Sequence, residues 1–385
     1  VEAGVEMIIY LPKYLALLCL ISYLIIKKYP LSQWISCILL LCWALFGIYS
    51  NGPLHSAFTL FMLSPVLIFM FLKLEVENFS SFYYALILFL FLATTSGIFY
   101  DYLYEAPWTG SVMDTSFGEV ENSREWWTQG ITRSAGFARV STTAALLTAL
   151  LTIQLMMARE GALIKIVILV ISIMAILCTT SKATLAAMLI ITPLLLISFS
   201  KIVSRLYMAT IVVAQVAILS LTYFVSISDF LKPNTIGETL LYGSLYVRLS
   251  DKWPSYILDI LDNSGIGYWG ILFGGGLGST GAPQKLFSGA PVLADSSILY
   301  IWGSLGILGL LFWVVILRSI NLGLQDNNNF YRSIAVSGVL LLFISLTTDI
   351  WESTFALAII GIGLGRYLNK GQGNKSNLRY KTMKK

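Results

Sequence analysis

Arg133 and Arg139 stand six residues apart in a short polar stretch that leads into an apolar run beginning near residue 142. A guanidinium is a flat fork of donors that matches phosphate oxygens, so this pair suits an anionic ligand. Gly136 between them lets the backbone approach such a ligand closely. The plainer reading is a pair of headgroup anchors whose charges reach out of a bilayer. A second stretch, 246–253, carries Arg248, Lys252 and Trp253, and the run Gly274-Gly275-Gly276-Leu277-Gly278 follows it. Glycines at that density either present backbone N–H groups to an anion, with Gly276 and Gly278 as ligand contacts, or form a flexible turn. The run lacks the lysine and spacing of a nucleotide-binding P-loop. Third, Asp295-Ser296-Ser297 opens another apolar run. A carboxylate beside hydroxyls there is an N-cap, or a general base and sugar-hydroxyl ligand, or both. Lys182 sits in the tight turn 179–182, where it either reaches for headgroups or marks a functional charge beside the bilayer. Asp349 and Glu352 flank Trp351 in a short turn, where either could face the same cavity, although a solvated turn is the plainer reading. His55 is the single histidine and reads as a bystander, so neither a Ser-His-Asp arrangement nor a multi-histidine metal site can be assembled.

The elements that must position these residues are membrane helices. The chain is 57% hydrophobic and 12% charged, whereas soluble domains average about 45–50% and about 25%. A membrane helix needs roughly 20 mostly apolar residues. Apolar runs predict an all-α polytopic membrane protein of about eleven transmembrane helices, at 8–26, 33–50, 55–73, 82–100, 142–158, 163–180, 182–200, 206–225, 297–317, 331–348 and 350–368. Cys19, Cys37, Cys42 and Cys178 all fall inside such runs and are expected to be free core residues rather than a disulfide or zinc framework. Residues 1–6 read as a processing remnant, and no cleavable signal peptide is expected.

Lysine and arginine favour the cytoplasmic side. With Lys27 and Lys28 inside, alternation puts 16 of the 25 basic residues inside against four acids, Glu75, Glu77, Glu160 and Asp326. The reverse orientation inverts this bias. The net charge of +5 thus resolves into topology and implies no nucleic-acid partner. Two large loops, about 101–141 and 226–296, then face away from the cytoplasm, and 370–385 forms a basic cytoplasmic tail. Loops of that length are functional or disordered, and their aromatic content opposes disorder. Short interfacial helices are expected at 123–128 and 245–261. Trp126, Trp127, Trp253, Tyr268 and Trp269 either stack on sugar faces or form an interface belt.

The stretch Arg133-Ser134-Ala135-Gly136 opening a helix and the Ser181-Lys182 turn come in one order with the run from Arg248 and Trp253 through the glycines to Asp295-Ser296-Ser297 and Gly306-Ile307-Leu308-Gly309. In that order the chain resembles the bacterial O-antigen and exopolysaccharide polymerases (the Wzy group), which share a fold with the O-antigen ligases. The resemblance covers about 130–315. It implies an inner-membrane enzyme with its site facing the periplasm. The enzyme would join oligosaccharide repeat units carried on undecaprenyl diphosphate, need no cofactor, and work beside a chain-length regulator protein in contact with membrane lipids. It implies donor-diphosphate roles for Arg133 and Arg248, with Arg139 a further candidate and Lys182, Trp253, Gly276 and Gly278 as substrate contacts. Cations alone can stabilise a leaving diphosphate, and Asp295 would act as base. Ligases carry a histidine where this chain has Asp295-Ser296, which favours polymerase. A ligase acting on lipid A core, a lipid-linked glycan or solute transporter, and a non-catalytic scaffold are the rivals.

Overall fold

The computed structural model describes residues 13–22, 31–72, 79–104, 106–115, 118–121, 127–128, 131–158, 161–196, 201–221, 232–263, 269–288 and 294–382. Four of its helices are long and apolar enough to cross a membrane: α3 (Pro53–Phe71), α4 (Ser81–Tyr104), α5 (Ser141–Ala158) and α13 (Ser297–Leu324). Shorter apolar helices or helix segments occur in α1 (Lys13–Ser22), α2 (Leu31–Asn51), α6 (Ala162–Cys178), α7 (Lys182–Leu196), α8 (Lys201–Leu221), α14 (Asn329–Ile344) and α15 (Thr354–Thr382). Each lies on one of the expected apolar runs. The remaining helices belong to the connection between α8 and α13: α9 (Ile236–Val247), α10 (Trp253–Asn263), α11 (Trp269–Phe273) and α12 (Ala282–Phe287).

The α4–α5 connection holds two antiparallel pairs, β1 (Val112–Thr115) with β2 (Gly118–Glu121) and β3 (Trp127–Thr128) with β4 (Ile131–Thr132). Trp127 and Thr128 are therefore strand, which corrects the interfacial helix expected at 123–128; Trp126 lies outside the described residues. Helix does form across 245–261, as α9 and α10.

α5 and α14 are the inner helices: Ala149, Ile153, Leu155 and Met156 pack in one core with Val336, Val339 and Leu340, all fully or nearly fully buried. Gln154 adds polar ties in that core, accepting from the Ser333 hydroxyl at 2.7 Å and donating to Ser337 at 3.0 Å. Buried side-chain amides require such partners. α15 packs on α3 through Gly361 and Gly365, where a methyl would come within 2.7 Å of the Val66 and Met70 carbonyls respectively. Small residues at i and i+4 permit that approach. By contrast, Leu45, Phe82, Leu163, Ile202 and Val213 leave most of their apolar surface uncovered. Aliphatic surface on that scale belongs against lipid.

α13 is two helices in one. Gly306 has φ 59°, ψ −144°, and a methyl there would strike the Leu272 carbonyl. Only glycine accepts that backbone at so close an approach. Beside the break, the glycine run supplies donors to the carbonyls of Gly303 and Ser304. Gly275 N–H donates to Gly303 O at 2.6 Å and Gly276 N–H to Ser304 O at 3.1 Å. Irregular backbone inside a bundle is stable only when satisfied this way.

Candidate functional site

The two long connections converge at the end of the bundle where α13 begins. The first brings Arg133. Its placement depends on Asp101, near the end of α4, which is buried. One Asp101 oxygen accepts the N–H groups of Ala135 (2.8 Å) and Gly136 (3.0 Å). The other takes Ala106 N–H (3.2 Å) and the Thr109 hydroxyl (3.0 Å). Gly136, at φ 59°, lies on Gly97 and Ile98, so a side chain there would collide with the backbone of α4. Trp108 closes the turn by donating to Gly136 O at 2.8 Å and stacking on Phe137. The stretch also meets the α6–α7 turn, where Ser134 N–H reaches Cys178 O. Lys182 starts α7 from that turn, close enough to feel the charge of Arg133.

The second connection brings Arg248 and Lys252. Pro254 lacks an N–H, so the ladder between α9 and α10 slips to a π turn, Arg248–Lys252, in which Trp253 N–H bonds to Arg248 O five residues back. Arg248 and Lys252 then face one carboxylate, Asp295: Lys252 Nζ is 2.8 Å and Arg248 Nε 3.7 Å from its Oδ2. Arg248 also donates to the Ser244 carbonyl at 3.3 Å and to the Ser244 hydroxyl. Burial lowers the pKa of Arg133, and so does the charge of Arg248; burial likewise lowers that of Arg248, with Asp295 opposing it. A guanidinium keeps its proton regardless, so these shifts record cationic crowding in partly dry surroundings.

Asp295 sits at φ 45°, outside the helix, and Ser296 is the N-terminal cap position of α13. The Asp295 carboxylate is engaged by the two cations.

Beside Asp295 lies the α14–α15 turn, fastened by Ser297. The Ser297 hydroxyl donates to Thr348 O (2.9 Å) and accepts Ile350 N–H (2.8 Å), while Trp351 donates to Ser297 O (3.0 Å). This brings Asp349 and Glu352 within electrostatic reach of Asp295, although Glu352 is also exposed to solvent. Burial pushes both carboxyls up; the charge of Glu352 pushes Asp349 further, and the charge of Asp295 pushes both. Arg139, although exposed, bears on Glu352 together with Lys285.

Three sequence candidates stand apart from this grouping. Gly276 spends its N–H on Ser304 and packs against Gly47 of α2, and Gly278 abuts the backbone of His55 in α3. The run is a packing wedge, and the anion cradle expected there is not formed by its Gly275 and Gly276 N–H groups. Trp253 is fully buried and offers no face to a sugar. Trp269 is exposed and stacks on Phe273; Tyr268 lies outside the described residues. Among the described residues no three of His, Cys, Asp and Glu converge in a way that could hold a metal ion.

The arrangement can hold an anion of high charge at Arg133, Lys182, Arg248 and Lys252, with carboxylates placed to bind or deprotonate a hydroxyl alongside. The chain matches no protein-family model and no curated protein.

Proposed function

We propose that this chain is a membrane glycosyltransferase that polymerises lipid-diphosphate-linked oligosaccharide repeat units, an O-antigen or related surface-polysaccharide polymerase. The supporting observation is the meeting of Arg133 and Arg248, from two separate connections, with Lys252 paired to Asp295. In this reading all eleven apolar helices cross the inner membrane. Both long connections face the periplasm, and the helix ends near Asp326 face the cytoplasm. The Asp326 end holds a closed network by comparison: Arg366 pairs with the Asp326 carboxylate at 3.2 Å, and Arg332 donates to its carbonyl.

In the reaction, a hydroxyl of the incoming repeat unit bonds to the anomeric carbon of the growing chain. The bond from that carbon to the diphosphate oxygen breaks, and undecaprenyl diphosphate leaves with the electron pair. Charge accumulates on the leaving diphosphate, where fixed guanidiniums stabilise the transition state most. Asp295 keeps the two cations of the π turn aligned for this. The activated anomeric phosphate supplies the driving force.

A transporter for a lipid-linked glycan is the second reading, favoured by the break in α13 at Gly306. Against it, the break is filled by the glycine run and has no charged group in the contacts that close it.

The test is a deletion strain carrying the wild-type gene, Arg133→Ala or Arg248→Ala, with surface glycan displayed on a gel and the protein quantified in membranes. The expected outcome is a full ladder with wild type. Each variant should give core plus one repeat unit at equal protein, from a rate loss of about 100-fold or more. Normal chain length in both variants sinks the proposal. On deletion, accumulated long lipid-linked chains point to the ligase, core with no repeat unit and no such chains points to the transporter, and an unchanged ladder sinks the proposal.

A further inference from the structure

Charge in the site is divided. Arg133, Lys182, Arg248 and Lys252 occupy one side, Asp295 stands between, and Asp349 and Glu352 lie beyond it on the α14–α15 turn. Glu352 is exposed to solvent at the end of the α14–α15 turn. One of its oxygens is fixed, accepting the Ala282 N–H at 2.6 Å. The absence of a side chain at Gly281 makes the room, since a methyl there would meet the same oxygen and come within 3.0 Å of the Tyr300 ring. The three bonds of Ser297 lock this turn to the segment bearing Asp295, so Glu352 keeps a set offset from the cations.

We propose that Glu352, backed by Asp349, takes the proton from the attacking sugar hydroxyl, so that the acceptor sugar docks against the α14–α15 turn. This rests on the polymerase reading above. Asp295 is committed to Lys252 and Arg248, whereas Glu352 is held through one oxygen and remains accessible. As the hydroxyl oxygen bonds to the anomeric carbon and the diphosphate departs with its electrons, the hydroxyl proton passes to Glu352 and then to solvent. The charged and titratable groups that bear on Glu352 and Asp349 are Asp295 from the start of α13, Lys285 from α12, and Arg139 from the α4–α5 connection. Tyr300 of α13 and Tyr256 of α10 lie beside Asp349. Burial and the charge of Asp295 raise the Glu352 carboxyl, with Lys285 and Arg139 opposing, and a carboxylate raised in this way is a stronger base.

The experiment uses full-length protein in liposomes with purified undecaprenyl-diphosphate-linked repeat units, and measures chain extension against pH. Wild type is expected to lose activity as pH falls through a midpoint above the usual glutamate range. Glu352→Gln keeps an acceptor for the Ala282 N–H and so preserves the fold. It is expected to lower kcat by about 100-fold or more, abolish that acid limb, and leave the donor KM within about threefold. Glu352→Asp is expected to restore part of the rate together with the limb. A Glu352→Gln enzyme with wild-type rate and pH profile, alongside an inactive Arg248→Ala, overturns this inference alone; active Arg133→Ala and Arg248→Ala enzymes overturn the polymerase reading beneath it.

Discussion

Several cations near one another repel, and one carboxylate arbitrates. Asp295 takes a left-handed backbone, which aspartate tolerates better than most residues, and from there bridges Lys252 and Arg248. The pair is partly solvated, with side chains 22% and 28% exposed for Arg248 and Asp295, so its worth is modest. Asp295→Asn preserves the backbone preference and deletes the charge. It is expected to cost about 1 kcal/mol, read as a lower thermal midpoint in detergent. Adding Lys252→Met should recover part of that loss, because it removes repulsion; a purely additive double variant refutes the arbitration. Arg133, Lys182, Arg248 and Asp295 were legible one by one, since charge beside an apolar run is unusual wherever it occurs. Their convergence was implied by the family resemblance alone, because positions 133 and 248 meet only through two irregular connections. Asp101 left a trace, a lone acid closing an apolar run, but its four donors include N–H groups more than 30 positions away. Glu352 left a faint one: two acids flanking Trp351 could face the site or only solvent, and the turn alone does not show that Gly281 vacates space for Glu352.

At the scale of elements, period and apolarity placed the helices well because lipid imposes one requirement on every span, full internal hydrogen bonding. The same rule explains what the sequence hid. α13 reads as one unbroken run, yet 28 residues at 1.5 Å each make about 42 Å, and the Gly306 break divides it. The glycine run read as an anion cradle because glycine density reports backbone freedom and says nothing of what the freed N–H groups will meet. They meet Gly303 and Ser304. Gly306→Ala should therefore be among the costliest single-methyl changes in the chain, about 3 kcal/mol or more from strain and collision together. Thermal unfolding measures it, and a loss below about 1 kcal/mol would show that the break can relax.

The molecule as a whole is an apolar stack whose two long connections meet at one end. If the inferred orientation holds, Phe137 and Asn327, both exposed, lie on opposite sides of the membrane. In a cysteine-free background, a membrane-impermeant maleimide applied to spheroplasts is expected to label Phe137→Cys and to reach Asn327→Cys only after lysis. The reverse pattern would invert the topology and strand the site in the cytoplasm.

The glycine run is also where early and late parts of the chain are joined. Ser50 and Asn51 both donate to Gly275 O, and Ser56 to Leu277 O, across separations of 225, 224 and 221 residues respectively. At synthesis rates of roughly 5–20 residues per second, α2 and α3 wait some 10–45 s for those acceptors to emerge. Through that interval their polar groups and the groove around Gly47 must be sheltered by something other than their final partner. The newborn protein is thus obliged to mature late, with these helices idle until a segment more than 220 residues downstream has been made, and the membrane insertion machinery has a client to hold for that time.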